Sequence, residues 1–535
     1  MLALAAFAVS GLFVSWSAYY AATEEIPAPG GSWAEGVVGQ PTFVNPLIAQ
    51  DNDPDRDAAE LVFADLGALA EPIVPGTDGR VWNVTLKKGL KWSDGESMTA
   101  DDVVFTVETL QDPDARSPQA GAWQGIIAEK TGEGEIRFTL KDPYAFFGNT
   151  LSLLKIAPKH VFGGIPAANL RLSKYNLEPV GSGPYAFAAI ATEKDGFVRE
   201  MAFAANPRYA GTPPLIPSFT LEFYRTEDAM LADFNAKKID GMGGIDPMLA
   251  KKIAVGHRLM TLALPRYYAI FFNQSTHPAL KEQAVRRALA GAIDRKALAD
   301  KALGGYAAAA YGPIPQSAEG YDESAYAGTK LSRKEAEGAL DAAGWLVNPE
   351  DGIRYKTAGG TRTALKFDVV TPDVPFLVSA MKAVADEWAA IGVRANPAVS
   401  SPEDIAKNAL RTRNYQMLLY GNVLKGDPDA FAFWHSSRKF WPGLNLSLYG
   451  SKEADALLES VRKGAGTKAE TDATLAKLQR IIAADAPAAF LFDPTYLYAV
   501  PANLKGFSDA SPASPSARLK GVEKWYLKTR RAFKK

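Results

Sequence analysis

The residues best placed to do chemistry in this 535-residue chain are acidic and aromatic, and they cluster late. Asp427 and Asp429 flank Pro428 just beyond a strand-like apolar run, and Trp434, Phe440 and Trp441 follow closely. A desolvated carboxylate makes strong charge-assisted hydrogen bonds. Aromatic rings offer large contact area at small entropic cost. Such a set is suited to binding. The same residues also have plainer uses: Asp427-Pro428 can start a turn, Asp429 can cap a helix, and the rings can fill a core.

Catalytic patterns are missing. The histidines His160, His257, His277 and His435 are scattered and show no metal-ligand spacing. Gly181-Ser182-Gly183 is not a nucleophile elbow, and no phosphate-cradling glycine loop precedes a helix. No pair of carboxylates stands out by spacing, so the chain reads as a non-enzyme without cofactor or metal. There is no cysteine, which excludes disulfides, thiolate sites and a lipid-modified Cys anchor, and is compatible with an oxidising compartment. With 59 basic and 60 acidic residues and no long block of like charge, nucleic acid is not the expected partner.

The elements that must position these residues are legible in places. In the segment 82–110, WNVTLKKGLKWSDGESMTADDVVFTVETL, Trp82, Val84 and Leu86 alternate with polar residues, as on a half-buried strand. Ser93-Asp94-Gly95 supplies a turn, and Thr99 with Asp102 predicts a capping box. Val103, Val107 and Leu110 then make one apolar helical face. Further along, 32–45 reads as a strand and 57–69 as a helix, and 135–140, 218–224, 365–371 and 415–420 read as strands. Helices are expected at 227–236, 285–295, 332–343 (Ser332 cap, Glu335, Gly344 stop), 378–391 and 453–461. The alternation implies an α/β protein, and the length implies two or three domains.

Residues 1–22 are almost wholly apolar, enough to span a bilayer core. No Lys or Arg precedes Arg56, and Tyr19-Tyr20 suits an interfacial belt. An uncleaved signal-anchor is the preferred reading and a cleaved signal peptide the alternative. Either places the rest of the chain outside the cytoplasm. Residues 23–31 read as a linker and 528–535 as a solvated basic tail.

Seven blocks in order resemble the family 5 solute-binding proteins, the dipeptide/oligopeptide/nickel-binding group. They are the 82–110 segment with its QDP extension, PVGSGPYAF, NPRYAGTPPL, FNAKKIDG, AVRRALAGAIDRKAL, GPIPQSAEGYD and AEGALDAAGW. The entry segment GGSWAEGVVGQPTFVNPLIA is similar as well.

That resemblance implies a two-lobed periplasmic-binding-protein fold (class II type) with an extra inserted domain and a hinge. Lobe 1 would combine 32–66, 180–268 and 491–527, with 67–179 inserted, and lobe 2 would be 269–490. The chain would cross between lobes near 268–273 and 490–494. The implied function is the extracytoplasmic solute-binding subunit of an ABC importer, a monomer that captures a peptide and delivers it to permease subunits. A metal chelate, sugar or opine ligand, or a surface receptor without transport, are the alternatives. The resemblance also implies that Asp427 pairs with a peptide α-ammonium, with Asp429 as rival. Trp434 and Trp441 would line the cleft, and Tyr268, Asn273 and Asn45 would reach peptide backbone.

Overall fold

The computed structural model describes residues 16–49, 52–424, 426–464, 466–508 and 512–534. Residues 16–22 are helical, and among the described residues no helix is long and apolar enough to cross a membrane. Most of the expected membrane segment lies outside the described residues.

The frame is one 12-stranded mixed sheet shared by both lobes. On the lobe 2 side the order is Arg394–Ser400, Lys366–Pro372, Met417–Val423 and Arg266–Phe272, ending on Ala488–Pro501. From that long strand the lobe 1 side continues through Gly241–Gly243, Ser32–Val38, Ser218–Tyr224, Val198–Ala205 and Tyr185–Thr192. The 14-residue strand Ala488–Pro501 therefore belongs to both halves. Its first residues pair with Tyr268–Phe271, and from Thr495 onward it pairs with His257–Ala263.

The other crossing is at Leu264-Pro265, between His257–Ala263 and Arg266–Phe272, earlier than the expected 268–273. The reason is packing. Tyr267, Ala269 and Phe271 enter one lobe 2 core while Ile270 and Phe272 enter another, so this strand is buried on both faces within lobe 2. Pro265, which has no N–H to donate, falls where the pairing changes partner.

The 82–110 segment folds much as its pattern predicts. Strand Val81–Thr85 buries Trp82 and Val84, and helix Ala100–Gln111 carries the full Thr99/Asp102 capping box. Val103, Val107 and Leu110 are fully buried in a core that also holds Trp33, Phe219 and Trp525. Strand Val81–Thr85 lies in a separate four-stranded sheet with Val74–Pro75, Ile127–Lys130 and Glu135–Thr139. In lobe 2 the Ser332/Glu335 capping box also forms, and Gly344 takes the positive φ of a helix stop.

Two sequence expectations are corrected. The linker 23–31 and the basic tail 528–535 are not loose: Thr23–Ala28 pairs antiparallel with Lys528–Phe533, six residues in register. Arg531 fastens this ribbon, donating to Thr23 Oγ1 and to the carbonyls of Tyr20 and Thr23, with its guanidinium 3.8 Å above the Tyr20 ring. Strand formation had been obscured by charge, which an exposed two-stranded ribbon tolerates on both faces.

Candidate ligand-binding cleft

Where the lobes meet, the sequence brings carboxylates and aromatics together from opposite sides. After strand Met417–Val423 the chain turns through Gly426, which needs its φ of +93°, into Asp427-Pro428-Asp429. Facing it are the stretch 143–146 and the first turn of the short helix Phe147–Ser152. Asn149 Nδ2 donates to Asp427 Oδ2 at 2.8 Å, and Tyr144 Oη donates to Asp429 Oδ2 at 3.1 Å.

Arg462, near the end of helix Lys452–Lys463, completes the contact. Its guanidinium sits 4.9 Å from the centre of the Tyr144 ring and 4.5 Å from that of Phe431, so one cation is held between rings from both lobes. Its Nε is 3.8 Å from Asp429, and its carbonyl accepts from Ala145 N at 2.9 Å. The two sides of the cleft are therefore in direct contact. Burial raises the Asp427 carboxyl above the usual range, the Asn149 bond opposes this, and neighbouring Asp429 adds to it. Asp427 Oδ1 has no donor among the described residues.

The other expected site residues fall elsewhere. Trp434 is fully buried; its indole donates to Tyr267 Oη at 3.1 Å and packs on Phe271, Phe490 and Tyr449. It is a core residue with no surface for a ligand. Asn273 is also fully buried, donating to the carbonyls of Arg413 and Tyr415. Those bonds sit at the end of strand Arg266–Phe272 away from the crossing, roughly 20 Å along it at ~3.3 Å per residue.

Phe440 and Trp441 lie at that same far end, 69% and 53% exposed, in a loop held by Arg413 bonds to the carbonyls of Lys439 and Gly443. Asn45 is buried in lobe 1, paired with Asn176 and capping its own turn at Leu47. Tyr268 lies near the crossing, against Phe376 and Phe492. Its ring covers Gly421 so closely that a Cβ there would stand 2.9 Å away. Of the six expected residues, Asp427 alone makes an interlobe hydrogen bond among the described residues.

Sequence reading missed Tyr144, Asn149, Arg462 and Phe431, although the aromatic run YAFFGN at 144–149 was a usable signal. It also missed Asp493. This carboxyl sits on the crossing strand, 8% exposed, accepting from Gln316 N at 3.1 Å while its Oδ1 has no partner among the described residues. Burial pushes it up to about 8. The third omission is a buried ion cluster in lobe 1. Arg518 grips Asp57 with both terminal nitrogens, at 2.9 and 2.6 Å, and reaches Glu35 at 2.8 Å. Trp33 and Tyr498 also donate to Glu35, and Gly241 must lack a side chain because its Cβ would overlap that carboxylate. Among the described residues no group of His, Cys, Asp or Glu is placed to hold a metal ion.

This arrangement offers carboxylate and aromatic contacts to a solute from two sides. Comparison with known proteins agrees. The model of bacterial extracellular solute-binding proteins, family 5, matches residues 66–441. The oligopeptide-binding protein AppA of Bacillus subtilis is 28% identical over 528 residues, covering 94% of this chain and 92% of that one. Its solved complex with a nonapeptide superposes with a TM-score of 0.75 at 26% identity, over 94% of this chain and all of that one (100%). The ABC transporter substrate-binding protein CtaP of Listeria monocytogenes has a TM-score of 0.79 at 25% identity, over 93% of this chain and 99% of its own. NikZ of Campylobacter jejuni, solved with Ni(L-His), shares the fold at 23% identity and a TM-score of 0.73, covering 92% of this chain and 99% of its own. The two-lobed fold, the order of the motifs and the family match over most of the chain lead to one conclusion: this protein belongs to the family 5 bacterial extracellular solute-binding proteins.

Proposed function

We propose that the protein is the peptide-capturing subunit of an ABC importer and acts by binding and closure, with no catalytic step. A peptide would lie between the lobes, and closing over it would present the loaded form to permease subunits. The observation that carries this reading is the interlobe contact at Asp427. One carboxylate oxygen already bonds Asn149 of the opposite lobe, and the other is free of described protein donors. In this reading Asp427 Oδ1 takes the peptide α-ammonium while Oδ2 holds the closed state, with Tyr268 nearby at the crossing. The relatives named above support a peptide through AppA, which was solved with one.

Isothermal titration against a library of free and N-acetylated peptides tests it. Free-amino peptides should bind, and Asp427→Ala should weaken them about tenfold or more while leaving acetylated peptides nearly unaffected. Equal loss for both classes would remove the ammonium assignment. Binding of a nickel chelate and of no peptide would favour the second ligand reading, which rests on shared fold alone.

The protein would work as a monomer held at the outer face of the membrane by residues 1–22. Carbonate extraction of membranes and N-terminal sequencing of the mature protein test this. Release into the soluble fraction with a start beyond residue 22 would show a cleaved signal instead.

A further inference from the structure

Lobe 2 contains a second candidate binding place that shares no residue with the interlobe contact. A cavity of about 290 Å³ opens between helix Gln283–Gly291, the C-terminal half of helix Lys468–Asp485 and the loop 323–331, and Phe490 of the crossing strand forms part of its wall. Its lining includes Arg287, Arg295 and Arg480 and not one Asp or Glu.

The three arginines are under-compensated in different ways. Arg287 is exposed, and its side chain has no ion-pair or hydrogen-bond partner among the described residues. Among the described residues Arg480 has only Asp322, at 3.7 Å. Arg295 is 5% exposed, and its guanidinium bonds the backbone carbonyls of Ala290, Ile293, Ala310 and Phe490 over the Tyr311 ring, with no carboxylate in contact. Burial lowers it to about 10, with Tyr311 and Glu387 opposing this. Like charges around a small cavity repel, and an anion entering it would be attracted by all of them at reduced dielectric. The rest of the lining is largely alkyl, with Leu331, Ala327 and Ala483 at least partly exposed.

We propose that this cavity binds a small organic anion. Its acid group would lie between Arg287 and Arg480 with Arg295 behind, and its apolar body on Leu331, Ala327 and Ala483. Planar guanidinium forks suit carboxylate or phosphate geometry, and the apolar floor selects an acid that carries a hydrocarbon body over an inorganic ion. Because the cavity abuts the crossing strand at Ala488 and Phe490, its occupant would touch the element that joins the lobes.

Calorimetric titration of the full protein with octanoate, octanamide and inorganic phosphate tests the assignment at concentrations up to about 10 mM. Octanoate should bind saturably, and octanamide and phosphate about tenfold more weakly or worse. The double variant Arg287→Gln/Arg480→Gln should lose about tenfold or more in octanoate affinity, with its melting temperature kept because both side chains are exposed. Ala483→Phe, which fills the cavity without changing charge, should also abolish binding, and Asp427→Ala should leave it intact. No saturable octanoate binding to the parent protein would overturn the proposal. So would binding unchanged in the double and cavity-filling variants, or phosphate binding as tightly as octanoate.

Discussion

Two clusters in this molecule use nearly the same parts in opposite ways. In lobe 1, Arg518 joins Glu35 and Asp57 beside Tyr496 and Tyr498; between the lobes, Arg462 meets Asp429 beside Tyr144 and Phe431. Arg518 and its two carboxylates are at most 2% exposed, whereas Arg462 is 34% and Asp429 16% exposed. The first is sealed in one lobe and ties helix Asp53–Val62 and strand Ser32–Val38 to the C-terminal segment. The second joins lobes that must part to admit a solute. Burial decides the difference. An ion cluster deprived of water is costly to open, while a half-exposed one exchanges its partners for water at little net cost.

The sharpest way to break the comparison is to remove the sealed arginine. Arg518→Met should destabilise the fold by roughly 3–5 kcal/mol, because it leaves two carboxylates buried without a counter-ion. Urea unfolding would measure this, and a loss under about 1 kcal/mol would show that the cluster is no scaffold.

Asp493 tests whether burial without pairing behaves like either cluster. Its folded pKa of about 8 lies above the ordinary 3.8, so its stabilising contribution is full below about pH 4 and is lost as pH rises toward 8. Asp493→Asn should therefore remove that loss, with melting temperatures equal to the parent near pH 4. By pH 7.5 the variant should be more stable by on the order of 2 kcal/mol, since a tenfold change in proton affinity is worth about 1.4 kcal/mol and water reaching the opened carboxylate offsets part of the cost. A constant difference across pH would contradict this.

The smallest effect belongs to the interlobe bond. Asn149→Ala should cost about 1 kcal/mol or less in global stability yet weaken ligand affinity by a similar amount, because it destabilises only the closed form. A double-mutant cycle with Asp427→Ala on ligand affinity should show a coupling of roughly 0.5–1.5 kcal/mol. Zero coupling would separate the two residues in solution.

How much of this was legible depended on the range of the contacts. The capping boxes at Thr99 and Ser332 and the buried face of Val103, Val107 and Leu110 each lie within a few residues, and the sequence patterns found them. Trp434 misled because an aromatic beyond a strand looks the same whether it faces solvent or core. The ribbon of 23–28 with 528–533 was hidden by the distance between its strands and by its charge.

By itself the sequence determined the α/β class, the family, the caps and turns, and the presence of acids and rings at 427–441, since these depend on short-range periodicity and motif order. Only the tertiary structure decided which of them meet. Asn149 lies 278 residues from Asp427, and Arg518 lies 483 from Glu35. No local pattern encodes such pairings, because they are set by how a shared sheet and its two crossings bring distant loops to the same cleft.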